Sequence, residues 1–205
     1  MLLDAAVLAF IIAAFAGGRV SRVKALDFKA PSLFIFAAMG KMAVAILGAR
    51  GSSLAPPIGG PINVAAYVFL CAALALNFHL WGMRLAALGV FLNLIVVFAN
   101  GGAMPVDRDL AVRAGNYALV RLLDSPNYIN HKPATPQTKF RPLADVLPLP
   151  LLVPRPTFFA PGSIGDVIVT IGACWLIFSA LGTFGLGRPE PPEEVPAEDI
   201  GEPQV

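Results

Sequence analysis

Five stretches of this chain approach the 18 to 20 apolar residues that carry an α-helix across a ~30 Å hydrocarbon core, and they constrain its fold more than any other feature. They lie at about 2–18, 31–48, 62–80, 84–99 and 164–186. An ordinary soluble domain holds roughly 25% charged side chains. Here 14% of 205 residues are charged and 57% are hydrophobic, so lipid is the natural solvent for much of the chain. The expected fold is all-α integral membrane, about five transmembrane helices with a long, proline-rich outer loop at 100–162 packed over the helix ends. Residues 1–186 then form a single transmembrane domain.

The net charge of +2 hides a polarised layout. Beyond Gly187, Arg188 stands alone against Glu190, Glu193, Glu194, Glu198, Asp199 and Glu202, which makes 187–205 an acidic, proline-rich tail expected to be disordered. The remainder is basic, and the lipid bilayer is its simplest partner. No basic stripe interleaved with aromatics suggests nucleic acid. A membrane-protein partner stays open. Arg19, Arg22, Lys24 and Lys29 follow the first apolar run, whereas Arg50 and Arg84 are single charges in the next two links. The positive-inside rule therefore places residues 19–30 in the cytoplasm, the N-terminus and the 100–162 loop outside, and the C-terminus inside. Positive residues after the first run, with none before it, reverse signal-peptide polarity and indicate an uncleaved helix.

The loop holds ten prolines, too structured a pattern for a linker. Asp107 can cap a short helix from Arg108 to about Ala114 with Gly115 as its stop. From Leu143 to Pro156 apolar residues alternate with prolines, which forbids a helix and favours an extended, partly buried strap. Ser163 followed by Asp166 reads as an N-cap with a first-turn acid.

Lys41 stands about ten residues into the second helix, where a charge costs at least ~2.5 kcal/mol. Asn93 has matching depth in the fourth helix and is its expected intramembrane partner, whether in a structural pair or on a transport path. Asp4, Asn100 and Asp166 share the outer interface, and with His131 they outline a polar outer-face cleft. Asp145 precedes Asp166 by 21 residues, near enough in sequence for the chain to fold back and join two carboxyls. Such a pair can split its pKa values into a base and an acid, the arrangement of aspartic peptidases. His131 has no second nitrogen or thiolate nearby, and Cys71 and Cys174 both sit in apolar runs. No metal site is expected. Gly101-Gly102 follows no strand and opens no phosphate-binding helix, so no cofactor is expected either.

The segments Asn100-Gly-Gly-Ala-Met-Pro-Val, Ala114-Gly115, His131, Thr138, Leu143-Ala-Asp-Val-Leu-Pro-Leu-Pro and Ser163-Ile-Gly-Asp-Val-Ile-Val-Thr-Ile-Gly resemble, over nearly the whole chain, a family of uncharacterised bacterial multi-pass membrane proteins. The resemblance implies a bacterial cytoplasmic-membrane protein without an assigned activity. Asp166, six residues before Gly172, with Asp145 upstream, is also similar to the catalytic pair of lipoprotein signal peptidase. Ser163 and Gly165 depart from that family's Asn and Ala, and its Gly-Asn-x-x-Asp-Arg signature is absent. Three readings follow: a structural, binding or accessory membrane protein, an intramembrane aspartic peptidase using Asp145 and Asp166, or a small-solute or ion transporter using Lys41. Whether the chain is an enzyme is left open.

Overall fold

A membrane segment has no water to bond its backbone, so each long apolar run must satisfy its own amides as a helix. The computed structural model describes residues 2–16, 27–150 and 159–182. In chain order its elements are α1 (Leu2–Phe15), α2 (Pro31–Ala49), α3 (Ala55–Leu76), α4 (Trp81–Ala99), β1 (Met104–Val106), α5 (Arg108–Arg113), α6 (Tyr117–Leu123), β2 (His131–Pro133), β3 (Leu147–Pro150), β4 (Phe159–Gly162) and α7 (Ile164–Leu181). Four of these, α2, α3, α4 and α7, are long and apolar enough to cross a membrane. The fifth expected crossing, α1, has 14 described helical residues. It rises ~21 Å, short of the core thickness. The acidic tail and the end of the first run lie outside the described residues.

The third helix starts seven residues before the expected boundary, because the proline cluster opens the helix instead of closing the turn. Pro56 and Pro57 occupy the first turn, where a missing N–H costs nothing. Pro61 is carried inside the helix. The fourth helix likewise starts at Trp81, making the link from α3 only four residues long.

Small residues set the closest helix pair. α4 and α7 run antiparallel, and their contact is the most extensive in the structure. A Cβ on Gly82 would strike the carbonyl oxygen of Gly172, and one on Gly89 that of Gly165. Two glycines seven residues apart on each helix thus bring backbone against backbone, as small residues do at membrane helix interfaces. α2 packs on α3, with Gly40 against Ala66, and α1 lies along α7.

The 100–162 loop caps one end of the helices. Gly60 of α3 meets the backbone of Gly101 and Gly102, Gly59 meets the Ile129 side chain, and Gly48 of α2 meets the Asn127 carbonyl. Asp107 caps α5 by accepting from Leu110 N at 2.9 Å, and Gly115 follows at φ 62°, as the sequence indicates. β1 is the centre of a short extended layer, paired in parallel with β2 on one edge and bridged at Val106 to Asp145 on the other. β3 and β4 form an antiparallel pair, so part of the proline-alternating strap is a strand.

Candidate polar site

Two polar clusters lie where the capping loop meets the helices. The first is built at the start of α7. Ser163 and Asp166 form a capping box: Asp166 N donates to Ser163 Oγ at 2.9 Å, and Ser163 N to Asp166 Oδ2 at 3.1 Å. Asn93 of α4 closes the network. Its Nδ2 donates to Asp166 Oδ1 at 2.9 Å, while its Oδ1 accepts from Ser163 Oγ at 2.9 Å. Gly165 allows this approach, because a Cβ there would occupy the Asn93 amide.

The second cluster gathers Lys41, Asn63, Tyr67, Tyr128, His131 and Asp145. Lys41 Nζ donates to Asn63 Oδ1 at 2.8 Å and lies 4.5 Å from the Tyr67 ring centroid, a cation–π contact. No carboxylate lies within 4.0 Å of it among the described residues. Asn63, fully buried, passes the connection on by donating to the Gly102 carbonyl at 2.6 Å. Lys41 is therefore partnered by Asn63, not by Asn93. Matching depth selected the wrong helix, because α2 packs against α3 while α4 is taken up by α7. With the helix start placed near Ile62, Asn63 would have sat at the interface; the observed start at Ala55 puts it over two turns deep. Asn63 and Tyr67, one turn apart, show the residue spacing that could have revealed this polar face.

His131 and Asp145 come together through β1. Met104 pairs with His131 and Val106 with Asp145, so all four side chains share one face of the layer. His131 Nε2 and Asp145 Oδ2 meet at 3.8 Å, and His131 Nδ1 shares a hydrogen bond of 2.9 Å with the Tyr128 hydroxyl, whose direction follows the imidazole tautomer. Burial pushes the Asp145 carboxyl up to about 8, reinforced by the Asp166 charge and opposed by Lys41. Although a third of the His131 side-chain surface stays open, the atoms packed around it press the imidazole down to about 4, helped by Lys41 and opposed by Asp166. At neutral pH both are uncharged, so their proximity is not an ion pair. Asp145 is 8% exposed, and its Oδ1 is buried without a hydrogen-bond partner among the described residues. An unsatisfied buried acceptor costs roughly 1–3 kcal/mol, which makes this atom the least settled polar group of the cluster.

The remaining sequence candidates have other places. Asn100 is a strut: its Nδ2 donates to Val96 O and Lys139 O, its Oδ1 accepts from Lys139 N, and its carbonyl accepts from Lys132 Nζ. It ties the loop to α4 and turns no group toward the carboxyls. Asp4 is in the first turn of α1, and its side chain lies outside the described residues. His79 bonds the Asp27 carbonyl at the opposite end of the helices, beside Asn77, which clasps both backbone groups of Lys29. Among the described residues no three metal-binding side chains gather.

Away from the capping loop, Leu74, Met83, Ala86, Ala87 and Val90 make an apolar core sealed by Phe34, Leu70, Leu80, Val169 and Leu176. The polar groups thus lie under the loop and are backed by hydrocarbon. A family of unknown function (DUF5317) matches residues 25–178, three quarters of the chain. The chain belongs to this family. No curated protein and no solved structure matches it. The matched span takes in both polar clusters and the four helices of crossing length except the last three residues of α7, and family membership brings no activity with it.

Proposed function

We propose that this protein is a membrane-embedded binding or accessory protein whose cluster of Lys41, His131 and Asp145, beneath the loop, receives a polar group from the loop side. The observation that carries this reading is the buried Asp145 Oδ1 without a partner among the described residues. A protonated carboxyl with one unpaired oxygen can both donate and accept, and Lys41 near it has spent only one of three donors. The apolar core behind the cluster argues for a one-sided pocket over a transport path, which would need polar groups continuing to the opposite end. The proposed setting is a bacterial cytoplasmic membrane with the loop outside and the C-terminus in the cytoplasm, because the basic residues concentrate in the link between the first two helices.

A second reading, the intramembrane aspartic peptidase, is favoured by the Asp166 charge reaching Asp145 and helping to hold its proton. Against it, both oxygens of Asp166 are engaged, one by Asn93 and one by the capping box. A thermal-shift screen of the detergent-solubilised full chain against phosphoethanolamine, glycerol phosphate, amino acids and polyols tests the first reading. It expects at least one compound to raise the Tm of wild type but not of Asp145→Leu or Lys41→Met. Equal responses in all three proteins would remove it, and cleavage of a lipid-anchored peptide that Asp166→Asn abolishes would install the peptidase instead.

A further inference from the structure

A groove of about 410 Å³ runs between α1 and α7 under the end of β3, with Ala5 and Ala9 on one wall, Val167, Ile171 and Phe178 on the other, and Leu149 at its head. Its two polar side chains are spoken for: Thr170 donates to the Asp166 carbonyl at 2.7 Å, and the Cys174 thiol faces the Ala5 carbonyl at 3.8 Å. Nothing in it asks for a polar occupant. From Val167 to Phe178 the wall rises ~16 Å, half of a ~30 Å hydrocarbon core and hence the depth of one leaflet. Spread over that length, 410 Å³ gives a mean section of about 26 Å². A helix ~10–12 Å across needs about 80 Å² or more. An extended methylene chain, with carbon contacts near 4 Å, fills roughly 16–20 Å². The groove is too narrow for a helix and wide enough for one hydrocarbon chain.

Its head adjoins the polar clusters. Leu149 packs over Gly162, and a Cβ at Gly162 would touch both Leu149 and, at 3.4 Å, Asp166 Oδ2. Leu149 is therefore the partition between hydrocarbon and carboxyl. We propose that the groove holds one acyl chain of a membrane lipid whose head group, bearing a hydroxyl or ammonium donor, reaches past Leu149 to the Asp145 carboxyl. This names the ligand class of the binding reading above and rests on it for the head group, while the chain site stands on the groove alone. Ile171 and Ile12, both about half exposed, leave the flank open for a chain to enter sideways from the bilayer.

The experiment reconstitutes the full chain in vesicles of phosphatidylethanolamine and phosphatidylglycerol with a trace of phosphatidylethanolamine carrying a diazirine on one chain. Photolysis is followed by peptide mapping. The expected labelling of residues 2–16 and 164–182 exceeds that of the lipid-facing α2 surface around Ile35 and Met39 at least five-fold. Ala9→Phe and Ile171→Trp, which fill the groove from opposite walls, reduce it at least five-fold and leave the α2 labelling unchanged. Equal labelling of groove and α2 surface, or no response to either filling variant in folded protein, overturns the chain site. If filling blocks the label while Asp145→Asn leaves its competition by unlabelled phosphatidylethanolamine and phosphatidylglycerol unchanged, the chain site stands and the head-group assignment falls.

Discussion

The Asn93–Ser163–Asp166 cluster and the Lys41–His131–Asp145 cluster lie under the same loop, yet they are bonded to different degrees. In the first, each oxygen of Asp166 and both ends of the Asn93 amide have partners within 3.1 Å. In the second, Lys41 has one hydrogen bond, His131 and Asp145 stand 3.8 Å apart, and an Asp145 oxygen has none. A fully bonded buried network fixes geometry, whereas a partly bonded one carries a standing cost that a ligand or proton can relieve. The first cluster is read as the lock between α4 and α7, and the second is proposed as the working site.

The largest effect is expected at the helix seam. Gly165→Leu drives a side chain into Asn93 and the Gly89 backbone, and no folded, monodisperse protein is expected on size-exclusion chromatography; normal yield would mean the seam is looser than described. Asn93→Leu leaves Asp166 Oδ1 without its donor and the Ser163 hydroxyl hydrogen without its acceptor, at a cost of about 3 kcal/mol, and should lower the Tm by several degrees at every pH. Asp145→Asn should behave in the opposite sense, its stability relative to wild type rising between pH 6 and pH 8.

That contrast follows from proton linkage. The folded pKa of Asp145 is about 8 against an ordinary 3.8, so between those values the folded chain holds a proton the unfolded chain has released, and stability falls as pH rises. His131 moves from 6.5 down to about 4, so over that range the folded chain binds fewer protons and stability rises with pH. The two slopes oppose each other up to pH 6.5. From there to pH 8 His131 no longer opposes the Asp145 slope, and a net loss of about 2 kcal/mol is expected in wild type but not in Asp145→Asn, read as Tm against pH. A smaller effect, outside both clusters, calibrates the assay: Ala30, at φ 48° before α2, should gain about 1 kcal/mol on substitution by glycine.

Much of the helical layout was legible because it rests on local pattern: long apolar runs, the Asp107 cap, and Ser163 with Asp166 as a helix start. The α3 boundary was not, since Pro56, Pro57 and Pro61 look like a turn until a helix is seen to accept two of them in its first turn. The partner of Lys41 depended on which helices adjoin, a property of the α4–α7 glycine seam and not of depth. Pairing of β1 with β2 and Asp145, which brings His131 to Asp145, closes over some 25 to 40 residues and leaves no periodic trace.

The measurement that tests the account most directly is the protonation of Asp145 itself. Infrared titration of the full chain, with Asp145→Asn as the difference reference, should show a protonated-carboxyl C=O band that persists at pH 7 and disappears with a midpoint near pH 8. A band lost near pH 4 would mean an ordinary, solvated carboxylate, and with it the unsatisfied buried centre on which the proposed binding role depends would be gone.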